Sequence, residues 1–155
     1  MKCVWYYESP IGRLGLAETD SAISHLLFEG VRQVQNYELK ETALIKAAAE
    51  QLQEYFGGSR KNFDLPLSVG GTEFQKSVWT ALQSIPFGET RSYKQMAAQV
   101  GNVKAVRAVG MANNRNPLAI IIPCHRVIGA DGSLVGYAGG LSVKQYLLDL
   151  EKKHV

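Results

Sequence analysis

Ile120-Ile121-Ile122-Pro123-Cys124-His125-Arg126-Val127 is the stretch that decides how the second half of this chain folds. Three consecutive isoleucines predict a buried strand or another core-facing segment, which would hold Cys124 in one place. The thiolate is the reactive form of cysteine, and a neighbouring imidazole or cation raises its population at neutral pH. Cys124 and His125 therefore indicate an activated nucleophile, with a buried structural cysteine beside a surface histidine as the competing interpretation.

The segment before this stretch predicts a helix-turn-helix. Ser92 caps a helix that runs through Val100, and Gln95 completes a capping box with it. Gly101-Asn102 then turns the chain, and a second helix covers 103–113. Two short helices joined by a glycine turn are typical of this motif.

The second helix of the pair carries small residues where a DNA reader usually carries polar ones. Ala105, Ala108 and Ala112 recur at helical spacing, and Arg107 lies between them. Recognition helices in the major groove present Asn, Gln, Arg or Lys to the bases. A small-residue face either packs against other helices or approaches a narrow minor groove closely, where little sequence information is read.

Two more helices are predicted in the second half of the chain. One opens at Thr72, where Gln75 completes another capping box. Its expected buried face consists of Phe74, Val78, Trp79 and Leu82. After a glycine-rich loop over 132–140, an amphipathic helix covers 142–152.

The first half predicts a small antiparallel sheet with one helix. Segments rich in β-branched and aromatic residues predict strands over 2–8, 14–18 and 23–28. Residues 62–67 are compatible with one more strand. A helix over 41–56 has apolar residues at three- and four-residue steps and ends at Gly57-Gly58. Ser68-Val69-Gly70-Gly71 is typical of a domain boundary.

Charge differs between the two predicted domains, residues 1–68 and 69–155. The first contains 7 Lys and Arg against 9 Asp and Glu, a net charge of −2, and the second contains 10 against 5, a net charge of +5. A basic half suits a polyanionic partner such as nucleic acid.

Composition is that of a soluble globular protein, with 46% hydrophobic and 20% charged residues. No apolar run approaches the about 20 residues that cross a bilayer, so no membrane association is expected. Residues 1–9 lack the pattern of a secretory signal. Two cysteines, Cys3 and Cys124, make no disulfide framework. We therefore expect a cytoplasmic protein.

Several motifs, in this order, resemble those of the O6-alkylguanine-DNA alkyltransferases over about residues 72–151. They are Ser92-Tyr93, Arg107 within Ala105–Gly110, Asn116-Pro117, Pro123-Cys124-His125-Arg126 and Gly136-Tyr137-Ala138-Gly139-Gly140. The resemblance implies a two-domain α/β fold. A ribonuclease H-like antiparallel sheet with a helix would come first. A mostly helical, winged-helix-like domain with the helix-turn-helix would follow.

The activity implied by this resemblance is direct reversal of DNA damage. A cysteine thiolate takes the alkyl group from O6 of guanine, and from O4 of thymine, after the base is flipped out of a duplex bound through its minor groove. The alkyl group stays on sulfur as a thioether, so each molecule acts once and no cofactor is required. The implied partner is double-stranded DNA carrying O6-alkylguanine, bound by a monomer with no obligatory protein partner.

The resemblance also assigns catalytic roles. Cys124 becomes the alkyl acceptor, His125 its base and Glu151 the group that orients the histidine, while Asn116 braces the turn. Neighbouring side chains of an extended segment point to opposite faces. Cys124 and His125 therefore need either a turned backbone or a bridging water to exchange a proton, and we predict the water bridge.

Further residues are assigned to substrate and DNA by the same resemblance. The flipped base would meet Tyr93, Val127, Tyr137, Ala138 and Gly139. The DNA surface would include Tyr93, Ala105, Ala108, Ala112, Arg107 and Arg115, with Arg107 entering the base stack. Some members of the family hold a zinc ion in the first domain. Only Cys3 and His25 could serve there, too few for a tetrahedral site, so we expect no metal.

Three alternatives remain at this level. A cysteine hydrolase would use the same pair with amides near Gly139-Gly140 as an oxyanion hole, and it would turn over many times. A DNA-binding regulator would act as a symmetric dimer and would not react. A related branch that binds lesions without repairing them carries tryptophan in place of the cysteine, which Cys124 argues against.

Overall fold

Three strands of the first unit form an antiparallel meander. The computed structural model describes all 155 residues and divides them into two units, Met1–Val69 and Gly70–Val155. In the first unit, β1 (Lys2–Tyr7), β2 (Leu14–Thr19) and β3 (Ala22–Phe28) pair in sequence order. The three predicted strands are therefore confirmed.

A short fourth strand was not predicted. β4 (Glu38–Leu39) pairs parallel to β1, which gives the sheet order β3-β2-β1-β4. Two residues are too few to show an alternating pattern. The strand considered over 62–67 is wrong, because only Leu67 makes a bridge, to Ile23. The preceding Pro66 has no N–H with which to extend a ladder.

One helix covers the sheet. α1 (Ala43–Phe56) begins after Thr42, whose side chain accepts a hydrogen bond from the Ile45 amide. It buries Ile45, Ala48, Leu52 and Tyr55, a spacing of three to four residues. The antiparallel meander with one helix agrees with the fold class expected for the first half.

The second unit is mostly helical, as expected. Its helices are α2 (Glu73–Leu82), α3 (Tyr93–Gln99), α4 (Val106–Asn114) and α5 (Leu141–Lys153). Both predicted capping boxes are present, at Thr72–Gln75 and at Ser92–Gln95. Two short strands, β5 (Arg91–Ser92) and β6 (Val127–Ile128), pair in parallel. No helix in the structure is both long enough and apolar enough to cross a membrane.

Helix α4 begins three residues later than predicted. The Asn102 side chain accepts a hydrogen bond from the Lys104 amide at 3.1 Å, which keeps 103–105 in a turn. Ala105 at the cap position offers no side-chain hydrogen bond. The helix can therefore start only at Val106.

The isoleucine run is buried, but it is not a strand. Ile120, Ile121 and Ile122 are 1%, 7% and 0% exposed. Ile120 has a φ of 74°, and the Ile122 amide donates to the Leu118 carbonyl at 2.8 Å. The core-facing interpretation is confirmed and the strand is wrong, because a left-handed β-branched residue interrupts extended backbone.

Candidate active site

Cys124, the candidate nucleophile, lies on a tight turn at the end of the isoleucine run. Cys124, His125 and Arg126 form one 3₁₀ turn, in which the Arg126 amide donates to the Pro123 carbonyl at 3.1 Å. All three side chains are buried, and Cys124 is 4% exposed. The expectation of an extended segment is therefore wrong, and the backbone has the turned form that was the alternative to a bridging water. The water bridge between Cys124 and His125 stays a prediction, without that supporting argument.

A buried ion cluster holds the histidine. His125 Nε2 lies 2.6 Å from a Glu151 carboxylate oxygen. Arg126 donates to the same carboxylate through Nε at 2.8 Å and Nη2 at 3.0 Å, and the Gly88 amide adds a bond at 3.2 Å. A bidentate guanidinium is among the strongest partners for a carboxylate, so the Glu151 oxygens are fixed relative to the turn. Glu151 was predicted to contact His125, and the structure brings the two side chains together.

Two asparagines hold the backbone around Cys124. Asn116 Nδ2 donates to the Ile122 carbonyl at 2.8 Å, and its Oδ1 accepts from the Leu118 amide at 2.9 Å. Asn113 Nδ2 donates to the Cys124 carbonyl at 3.3 Å. These bonds satisfy buried backbone groups that no regular secondary structure pairs.

Burial sets the resting protonation states. It raises the pKa of the Cys124 thiol to about 11, against the opposing effects of the Asn116 hydrogen bond and the Lys144 charge. Burial lowers the pKa of His125 despite the nearby Glu151 carboxylate. For Glu151, burial is outweighed by its bonds to His125 and Arg126, and its pKa falls to about 2. At neutral pH the cluster therefore contains a thiol, a neutral imidazole and a charged carboxylate–guanidinium pair.

The glycine-rich loop is bonded to both α3 and α5 through one carbonyl. Tyr93, the first residue of α3, donates its hydroxyl to the Val135 carbonyl at 2.9 Å. Lys144 of α5, fully buried, donates to the same carbonyl at 2.9 Å. Tyr137, Ala138 and Gly139 follow in this loop and are half-buried. Val127 is buried and pairs with Arg91 in the two-stranded sheet.

Helix α4 exposes only part of the surface that was predicted to contact DNA. Arg107, Ala108 and Arg115 are exposed, and Ala105 is half-buried. Ala112 is 2% exposed, and its carbonyl accepts a hydrogen bond from Trp79 Nε1 at 2.8 Å. The assignment of Ala112 to a DNA-contacting face is therefore corrected, because this residue packs against α2.

Three residues near Cys124 were given no role from the sequence. Arg126, Asn113 and Lys144 are all buried. Basic side chains are usually solvated, so nothing in the sequence pointed to the burial of Arg126. Lys144 has a signal, because it lies on the apolar face of an amphipathic helix. No group of three or more His, Cys, Asp or Glu side chains is arranged to hold a metal ion.

Two family models match most of the chain. Residues 4–69 match the description "6-O-methylguanine DNA methyltransferase, ribonuclease-like domain". Residues 73–153 match "6-O-methylguanine DNA methyltransferase, DNA binding domain".

Curated relatives and solved structures agree with these matches. A methylated-DNA–protein-cysteine methyltransferase of Methanosarcina barkeri is 51% identical over 151 residues, 96% of each chain. The constitutive enzyme of that name from Bacillus subtilis is 51% identical, over 94% of this chain and 92% of the relative. A crystal structure of Mycobacterium tuberculosis OGT in complex with DNA superposes with a TM-score of 0.94 at 45% identity, covering 99% of this chain and 94% of the other.

Proposed function

This chain belongs to the 6-O-methylguanine DNA methyltransferase family, and we propose that Cys124 is its alkyl acceptor. The protein is a methylated-DNA–protein-cysteine methyltransferase that repairs DNA by alkyl transfer. One observation supports the assignment of the acceptor above all. Cys124 sits on a rigid buried turn beside a histidine whose far nitrogen is held by the Glu151–Arg126 pair.

The proton of the thiol must leave before or during the displacement. His125 is neutral at rest and donates from Nε2 to Glu151, so its other nitrogen can receive the Cys124 proton through the predicted water. The thiolate then attacks the O6-bound carbon, forming the S–C bond as the C–O bond breaks. The oxygen keeps the bonding electrons, and the proton from His125 neutralises the departing guanine.

Rigid backbone keeps the sulfur in line for this displacement. Asn116 and Asn113 fix the carbonyls of Ile122 and Cys124, and the Asn116 side chain also favours the thiolate by hydrogen bonding. Positioning of reacting atoms lowers the barrier because little freedom is lost in the transition state.

A stacked guanine cannot reach a buried sulfur, so the base must be flipped out at a cost of a few kcal/mol. We assign the base pocket to Tyr93, Val127, Tyr137, Ala138 and Gly139. Arg107 fills the space left in the stack, and Ala105 and Ala108 allow close approach to the minor groove. Arg115, exposed at the end of α4, contacts phosphate.

The proposal also covers the DNA substrate, the oligomeric state, the cellular location and the roles of the two domains. The substrate is double-stranded DNA carrying O6-alkylguanine, with O4-alkylthymine as a second substrate. We propose a monomer without an obligatory protein partner, because one chain contains the acceptor, the base and the helix-turn-helix. A cytoplasmic location fits two free thiols. Residues 69–155 form the DNA-binding and alkyl-transfer domain, and 1–68 form the α/β domain.

Intact-protein mass spectrometry tests this proposal directly. After mixing with a duplex containing O6-methylguanine, we expect a mass gain of one methyl group, mapped to Cys124. Cys124→Ala should gain none. Repaired DNA without a methylated protein, or many repaired bases per protein molecule, would instead support a cysteine hydrolase.

A further inference from the structure

Helix α5 presents a buried face with opposite charges at its two ends. Lys144, Leu147 and Glu151 are spaced at i, i+3 and i+7 and are 0%, 0% and 1% exposed. α5 packs against the 3₁₀ turn that carries Cys124. The carboxylate end of this face holds His125 and Arg126. Lys144 lies seven residues earlier, about 10 Å along the helix axis.

Lys144 is a buried cation without an anionic partner. The ion pairs of this unit join Lys76 to Glu73, Arg91 to Glu89, and His125 and Arg126 to Glu151. The Lys144 ammonium instead donates to the neutral Val135 carbonyl at 2.9 Å and lies 5.8 Å from the centre of the Tyr93 ring. Burying an ammonium without a carboxylate is unfavourable, so its place in the fold requires another explanation.

Other cations at the site are already neutralised. The Arg126 guanidinium is paired with both Glu151 oxygens, and His125 is neutral at rest. The titratable groups that interact with Lys144 include Tyr93 of α3 and Cys124 and His125 of the turn. A thiolate on Cys124 therefore has one uncompensated cation nearby. Lys144 and Cys124 each favour the charged form of the other.

We propose that Lys144 is the positioning residue whose positive charge stabilises the Cys124 thiolate during alkyl transfer, and that the Val135 carbonyl holds its ammonium in place. This inference rests on the proposed role of Cys124. Burial lowers the pKa of Lys144 to about 8, so the side chain is mostly protonated at neutral pH. An opposite charge close to an ionisable group typically raises the ratio of its charged to its neutral form about tenfold or more.

Iodoacetamide provides a test that needs no DNA, because it alkylates thiolates directly. Lys144→Met removes the charge and keeps a side chain of similar length, and Lys152→Met removes an exposed charge from the same helix. Peptide mapping separates Cys124 from Cys3. At pH 7 we expect Lys144→Met to react about tenfold or more slowly at Cys124 than the wild type, and Lys152→Met to react at the wild-type rate.

The pH dependence separates charge from packing. At about pH 9.5 the wild-type lysine is mostly neutral, so its advantage over Lys144→Met should fall below about twofold. A ratio that is the same at both pH values shows a packing role and overturns the proposal, as does equal reactivity at pH 7. Lys144→Arg stays charged at both pH values and should keep its advantage over Lys144→Met throughout.

The wild-type protein alone gives a second measurement, should the variants not fold. A plot of log rate for iodoacetamide against pH should lose about one unit of slope near the pKa of Lys144, and a plot without this bend overturns the proposal. Single-turnover repair with a saturating amount of methylated duplex separates the proposed function from the proposed role of Lys144. Wild type that shows the bend but transfers no methyl group contradicts the proposed function only, whereas equal repair and equal iodoacetamide rates in Lys144→Met contradict the role of Lys144 only.

Discussion

The two cysteines of this protein are both buried free thiols, yet their surroundings differ. Cys3 is 0% exposed in β1, where its direct neighbours on the adjacent strands are Glu18 and Glu38. Cys124 is 4% exposed on a 3₁₀ turn, near a neutral histidine and a lysine ammonium. Burial alone therefore does not distinguish the proposed alkyl acceptor. Cys124 differs from Cys3 in its adjacent histidine, its nearby cation and its rigid turn.

The sharpest test of this comparison exchanges each sulfur in turn. We expect Cys124→Ser to lose methyl transfer completely, because a hydroxyl is a far weaker nucleophile than a thiolate. Cys3→Ser, the matched change in the first unit, should leave the transfer rate per folded molecule unchanged. Single-turnover repair with mass analysis measures both, and methyl transfer by Cys124→Ser would contradict the assignment of the acceptor.

The next largest effect concerns the carboxylate that anchors the turn. Glu151→Gln leaves the buried Arg126 guanidinium without its counter-ion, and removal of one partner from such a pair costs about 3–5 kcal/mol of unfolding free energy. Asp149→Asn changes an exposed carboxylate on the same helix and should cost little. Urea denaturation compares the two variants. Equal stabilities would show that the ion cluster does not hold the turn.

Acid should weaken the surroundings of Cys124 through the same carboxylate. The pKa of Glu151 is about 2 in the folded protein, below its ordinary value of 4.5. Its contribution is therefore complete above about pH 4.5 and is lost as the pH falls toward 2, about 3 kcal/mol in all. Urea denaturation at several pH values should show this loss in the wild type. A Glu151→Gln protein with an equally steep acid loss would contradict this origin.

A smaller effect is expected from the asparagine that braces the turn. Asn116→Ala leaves the Ile122 carbonyl and the Leu118 amide without their partner, at a cost of about 1–3 kcal/mol. It should also slow methyl transfer, because the Asn116 side chain favours the thiolate. Asn62→Ala, an exposed asparagine in the first unit, provides the control. Thermal melts and single-turnover repair should separate the two variants, and matching behaviour would show that the brace is dispensable.

Local signals in the sequence were enough for most of the secondary structure. Capping boxes at Thr72 and Ser92 are complete within four residues, so they form as predicted. The paired strands β1 to β3 likewise follow from segments rich in β-branched and aromatic residues and from nearby turns. The errors lie where a short-range pattern competes with a specific contact. Asn102 delays α4, and a left-handed Ile120 interrupts the expected strand.

By itself the sequence determined the class of chemistry, since a cysteine and a histidine directly after an apolar run, within a recognisable set of motifs, indicate a candidate nucleophile and its base. Only the tertiary structure decided which charges surround Cys124. Arg126 and Lys144 look like surface cations in the sequence, but the fold buries both. Arg126, on the turn, pairs with Glu151, whereas Lys144, on α5, has no carboxylate partner. Electrostatic effects depend on distance and desolvation, and neither can be read from spacing along a chain.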